Sequence, residues 1–71
     1  MNAVNSKKLL HSKWTAVHPL KKQKHFIITA VDVDEDQNIT RCVIEAIMSK
    51  REHCIEWRDL KDNKKWLIGW Q

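Results

Sequence analysis

The chain has 71 residues, 42 % of them hydrophobic, and a formal net charge of +4; that is room for one small domain, too apolar for a disordered segment. No apolar run is long enough to cross a membrane, and the N-terminus lacks the apolar centre of a secretory signal. Two cysteines do not make a disulfide framework, so a reducing, cytoplasmic setting without membrane contact is expected.

In chain order, residues 1–5 read as a loose end of a single domain spanning 1–71. Lys7 to His11 fits a helical turn capped by Asn5 or Ser6. Lys13 to Val17 reads as a first strand, with β-branched Thr15 and Val17, ended by Pro19. Leu20 to Lys24 is a basic connection. His25 to Val33 is the clearest strand, with Phe26, Ile28 and Ala30 on one side and Ile27, Val31 and Val33 on the other. Asp34 to Asn38 has turn composition. As a five-residue loop it sets Val33 opposite Ile39, Ala30 opposite Cys42 and Ile28 opposite Ile44; a four-residue loop would shift this by one.

Thr40 to Met48 and Arg51 to Trp57 read as two strands around Ser49-Lys50. The expected register pairs Ile44 with Ile55 and Cys42 with Trp57. It gathers Cys42, Ile44, Ala46, Met48, Ile55 and Trp57 on a core face and Val43, Glu45, Ile47, Glu52, Cys54 and Glu56 on the other. A slip by one residue would press Glu52 and Glu56 against Ile44 and Ala46, and burying unpaired carboxylates is costly. Ser-Lys suits the left-handed angles of a two-residue turn poorly, so a four-residue loop, Met48 to Arg51, is the alternative in the same register. Arg58 to Leu60 forms a corner. Asp62 or Asn63 caps a short helix through Ile68, ended by Gly69. The expected fold is mainly β, bordering on α+β: a four-stranded antiparallel meander, curled or barrel-like, with short helical turns at the C-terminus. Strands two and three are apolar on both sides, so Trp66 is expected to fold back near Trp57 and close the core.

The segments Lys8-Leu9-Leu10, Ser12-Lys13-Trp14-Thr15-Ala16, Lys24-His25-Phe26, Glu45-Ala46, Trp57-Arg58, Leu60, Asp62 and Trp66 with Gly69-Trp70 together resemble a family of short tryptophan-rich bacterial proteins of unknown function. Members often have a proline before the first lysines, where Ser6 stands nearby here. The resemblance implies class and bacterial origin but not function.

Cys42, Cys54, His53 and His25 raise a zinc site, but ligands usually come as close pairs on turns. Here the hairpin sends Cys42 and Cys54 to opposite faces, so no metal and no cofactor is expected. Glu45, Glu52 and Glu56 share a face without a nucleophile or cleft, which suits a solvated surface better than acid–base catalysis, and no enzyme is expected. Lys13, Trp14, Lys21, Lys22, Lys24, His25, Lys50 and Arg51 form the candidate binding surface, charge next to aromatic rings. Trp57 and Trp66 are expected in the core, with Trp14 and Trp70 open between core and surface. The expected function is a small cytosolic binding module for an unknown protein partner, as a monomer or weak homodimer. The alternative is a single-stranded nucleic acid (RNA or DNA) bound through a basic surface with exposed aromatics.

Overall fold

The structure is a computed structural model in which residue 2, residues 4–20 and residues 23–71 are described. Among these, five strands form one open antiparallel sheet: β1 (Lys13–Leu20), β2 (Gln23–Val33), β3 (Ile39–Ala46), β4 (Glu52–Ile55) and β5 (Trp66–Ile68). Their order is β4-β3-β2-β1-β5. The mainly-β expectation holds, whereas the count of four strands and the C-terminal helix do not. Trp66 to Ile68 pairs with β1 instead, setting Trp14 opposite Ile68, Thr15 opposite Leu67 and Ala16 opposite Trp66. The outer edge of β1 would otherwise leave its backbone groups unpaired, and bulky Trp and Ile suit a strand as well as a helix. Asp62 still caps a turn, its Oδ1 accepting from the Lys64 N–H at 2.9 Å. Gly69 ends the segment at φ +78°, a left-handed conformation that favours glycine.

Two 3-10 turns, Ser6–Lys8 and Trp57–Lys61, complete the fold. The first is capped by Asn5, whose Oδ1 accepts from the Lys7 N–H at 2.9 Å. The second is the expected corner. It opens on Glu56, so the fourth strand stops at Ile55 and Trp57 leaves the ladder. At the expected loose end, Asn2 donates from Nδ2 to the carbonyls of Leu60 (2.9 Å) and Trp66 (2.6 Å), and Val4 packs on the core.

The β3–β4 register differs from expectation by two residues. Cys42 faces Ile55 and Ile44 faces His53, not Trp57 and Ile55. The loop is Ile47 to Lys50, closed by the Arg51 carbonyl accepting from the Ala46 N–H at 2.9 Å. A shift of two preserves which side chains share a face, so the alternation that excluded a slip of one could not separate these two registers. What separates them is the loop: Ile47 donates its N–H to the His25 carbonyl at 3.0 Å and Lys50 takes φ 61°.

Between β2 and β3 the expected register holds at both ends, with Val33 opposite Ile39 and Ile28 opposite Ile44. In the middle it is displaced by one, so Ala30 faces Val43 and Val31 faces Cys42. Thr29 is the extra residue on β2 and Thr40 the extra residue on β3, a pair of bulges that cancel. Beyond Thr29 the side chains exchange faces, which brings Val31 rather than Ala30 to the core. β1 also runs past Val17 through Pro19 to Leu20. The last bond of β5 to β1 comes from the Val17 N–H, so the missing proline N–H interrupts no ladder there.

One face of the sheet is covered. Trp14, Ile28, Cys42 and Ile44 pack under Leu9 and Leu60, with Phe26, Ile55, Trp57 and Trp66 partly buried around them. Like Trp57, Trp66 packs half-buried against the core cluster. Its ring stands edge-on to Phe26, centroids 5.2 Å apart and planes at 88°, as the aromatic quadrupoles favour. Trp14 is the most buried tryptophan, 3 % exposed, with its indole N–H donated to Ser12 Oγ at 2.8 Å. Removing a buried tryptophan costs about 3–5 kcal/mol, and a core of this size supplies about as much in total. Trp14→Ala should therefore show no cooperative urea transition at room temperature by far-UV circular dichroism. Trp66→Ala, which removes a half-buried ring, should keep a transition with a lowered midpoint. An unchanged midpoint for Trp14→Ala would refute this packing.

Candidate binding cleft

Beyond the reach of Leu9 and Leu60, the covered face opens into a cleft of about 500 Å³. Its walls are Ala16, Phe26, Ile44, Ile55 and Trp66, and its rim is His18, Gln23, Arg51, His53 and Lys65. Ala16 and His18 come from β1, His53 and Ile55 from β4, and Trp66 from β5, so both edge strands reach it. The pairing rule explains the composition. Ile44 opposite His53 puts both on one side, as do Ala16 opposite Trp66 and Phe26 opposite Ala46.

Among the described lining residues there is no carboxylate. Lys65 is shared with Asp59, Nζ to Oδ1 3.6 Å, an exposed pair of small energetic weight. Gln23 Oε1 accepts from Ser49 Oγ at 2.7 Å, which ties the β3–β4 loop to the start of β2. The cleft can take an apolar group and place an anionic one at its rim; among its described lining residues there is no nucleophile–base pair.

The sequence-derived surface is divided. Lys24, Lys50 and Arg51 are exposed, and Arg51 joins the cleft rim. Lys21 and Lys22 lie outside the described residues. Trp14 is buried and offers no ring face. Lys13 lies over Trp70, its Nζ 4.8 Å from the ring, and His25 Nε2 meets the Gln71 carbonyl at 2.8 Å. Lys13 stands in one cross-sheet row with Ile27, Glu45 and Glu52, each opposite the next, and belongs to the face opposite the cleft. Arg58 and Lys61 stand over Trp57 at 5.8 and 4.8 Å. His18, Lys65, Phe26 and Trp66 were missed as site residues. Alternation already put Phe26 on the side of Ile28, opposite Ile44; Lys65 and Trp66 depend on the β1–β5 pairing, and His18 on β1 running past Val17.

The two thiols are free, Cys42 buried and Cys54 exposed. Cys54 stands opposite Val43 and therefore points away from Cys42. On Cys54's face, Arg41 is held in its charged form first by Cys54 and then by Asp32, whose Oδ2 lies 3.3 Å from Nη1. Among the described residues, no group of three or more His, Cys, Asp or Glu is placed to hold a metal ion. No helix there is long and apolar enough to cross a membrane.

Fold and cleft define a small antiparallel β domain with an apolar pocket under a cationic rim. The chain belongs to the family described as Tryptophan-rich protein (DUF2389), whose family model matches residues 12–71. Comparison with curated proteins and with solved structures found no match. All four tryptophans lie within the matched span: one is buried, two are half-buried at the core margin and Trp70 is exposed.

Burial pushes the Cys42 thiol up to about 11, with smaller contributions from Glu56 and Cys54. Its proton is thus held more tightly in the folded chain than in the unfolded one. The resulting stabilisation is complete below the unfolded thiol's value, near 9.0, and is lost as pH rises towards about 11. Urea midpoints should fall over that window, and Cys42→Ala should fall less steeply over the same window. Equal slopes would show that Cys42 ionises as freely folded as unfolded.

Proposed function

We propose that this domain is a small cytosolic binding module for a protein partner, which seats an apolar side chain in the cleft and an acidic group against its rim. The observation that supports this most is the composition of the cleft: apolar walls with Arg51, His53, His18 and Lys65 at the mouth and no lining carboxylate among the described residues. Burying one large apolar side chain contributes about 1.5–3 kcal/mol, and an acidic neighbour at the rim adds direction and register more than affinity.

The nucleic-acid reading is less well supported. It needs a continuous cationic track beside free ring faces. The buried Trp14, the lysine over Trp70 and the two cations over Trp57 leave few such faces. Glu45 and Glu52, directly opposite each other, interrupt the far face.

The test compares wild type with an Arg51→Glu, His53→Glu variant. Both positions are exposed, so the fold should persist by NMR. Proteins captured from a lysate by wild type should be lost from the variant, and random single-stranded RNA and DNA should show no binding by fluorescence anisotropy. Binding of those strands at low salt that falls steeply as salt is added, with no protein lost from the variant, would replace this reading with the nucleic-acid one.

A further inference from the structure

The two edges of the sheet are finished differently. On β5, Gly69 N–H to the Lys13 carbonyl (2.8 Å) and Val17 N–H to the Lys65 carbonyl (2.9 Å) fix the phase of the ladder. By the alternation of an antiparallel pair, the backbone groups of Trp66 and Ile68 then face outward. Three of these four groups are bonded by the chain itself. The Trp66 N–H donates to the Asp62 carbonyl at 3.0 Å, the Trp66 carbonyl accepts from Asn2 Nδ2 at 2.6 Å, and the Ile68 carbonyl accepts from Gln71 Nε2 at 3.0 Å.

On β4, the Ala46 N–H to Arg51 carbonyl bond at 2.9 Å sets the phase. The backbone groups of Glu52 and Cys54 therefore face outward. Among the described residues nothing bonds to them, and both residues are exposed. An open edge of this kind is a template for another strand. Its shortness and its charges limit indiscriminate pairing and so make it selective.

We propose that an extended segment of a protein partner adds antiparallel to β4 as a sixth strand, with its backbone paired to Glu52 and Cys54 and its alternate side chains turned into the cleft. The side chains of β4 dictate the segment's chemistry, because residues directly opposite each other share a face. Arg51 calls for an acidic residue and Glu52 for a basic one. His53 and Ile55, at the cleft, call for apolar ones. This form of recognition draws affinity from main-chain bonds and specificity from pockets for every second side chain. A second copy of the chain fits less well. It would bring two cationic rims together on chains that each carry a net charge of +4. The proposal rests on the reading above for its protein partner and adds where that partner's backbone runs.

The test uses the blocked peptide Leu-Thr-Leu-Lys-Glu, which places Leu opposite Ile55, Thr opposite Cys54, Leu opposite His53, Lys opposite Glu52 and Glu opposite Arg51. The control has the same side chains with the Thr and Lys nitrogens methylated, which removes the donors facing β4. Titration into the full chain, followed by amide NMR, should shift Glu52 and Cys54 and slow their hydrogen exchange. The methylated peptide should bind at least about tenfold more weakly, the loss of two main-chain bonds. Equal binding of both peptides, with shifts confined to Ala16, Phe26 and Trp66, would overturn the edge pairing while leaving the cleft reading standing. Binding of neither peptide overturns the edge pairing, and the lysate comparison then decides the cleft reading separately. Shifts of Glu52 and Cys54 that grow with protein concentration alone would give the edge to a second copy and overturn the proposal.

Discussion

The structure depends on the pairing of β5 with β1, and that pairing depends on Thr15. Thr15 is 5 % exposed, and a buried hydroxyl must find partners. Its Oγ1 donates to the Gly69 carbonyl at 2.7 Å and accepts from the Gln71 N–H at 2.9 Å. The last residues are thereby folded over the face opposite the core, where the Trp70 indole N–H reaches the Phe26 carbonyl at 2.8 Å. On the core side the same pairing sets Trp66 against Phe26 and delivers Lys65 to the rim of the cleft. A single strand of three residues thus connects the hydroxyl on one face to the pocket on the other. The N-terminus contributes to the same lock, since Asn2 bridges Leu60 and Trp66.

Local patterns in the sequence were enough to place β2, β3, the acidic turn between them and the corner at Trp57–Lys61. They also sorted the side chains of β3 and β4 onto the correct faces, because period-two alternation is a local property. What escaped was anything that depends on a distant partner or on a shift that alternation cannot detect. The C-terminal Trp-Leu-Ile has no strand period of its own at three residues, and its mate lies some fifty residues earlier in the chain. The two-residue displacement of the β3–β4 register keeps Cys42, Ile44, Ala46 and Ile55 on the core face, but it moves Met48, expected there too, into the loop, where it is exposed. The compensating bulges at Thr29 and Thr40 leave the ends of the β2–β3 ladder in the expected place and alter only its middle. The cleft was illegible for the same reason as β5: two of its walls come from the two edges of the sheet, and neither edge can be recognised as such until the strand order is known.

Charge is distributed along the sheet as well as across it. The β2–β3 turn carries exposed Asp34, Glu35 and Asp36, with Asp34 Oδ1 accepting from the N–H groups of Asp36 and Asn38 at 2.9 Å each. An antiparallel meander puts that turn at one end and the β3–β4 loop, with Lys50 and Arg51, at the other. Glu45 and Glu52 fall on the face away from the cleft, where Thr29 Oγ1 donates to Glu52 at 3.0 Å. Apart from Asp59, which pairs with Lys65 at the rim, these acidic residues are thus drawn away from the pocket by turn chemistry and by strand parity. A modest net charge of +4 becomes a localised positive mouth, and a local field of this kind orients an approaching anionic group more effectively than the same charge spread evenly.

Cleft and edge constrain one another. A protein segment with one side chain in the pocket must lead its backbone out over the rim, and the two sides are not equivalent exits. On the β5 side, Asn2, Asp62 and Gln71 already occupy outward-facing backbone groups. A segment leaving there would have to displace those bonds or bury its own amides unpaired, at about 1–3 kcal/mol for each. On the β4 side, the outward groups of Glu52 and Cys54 offer partners for the segment's amides at the spacing an extended chain presents. The side chains of Arg51, His53 and Ile55, which point into the cleft, are those a sixth strand would meet on its inner face. An extended backbone on that side continues the ladder and fills the pocket with the same residues, whereas a helix crossing the rim could satisfy only the pocket.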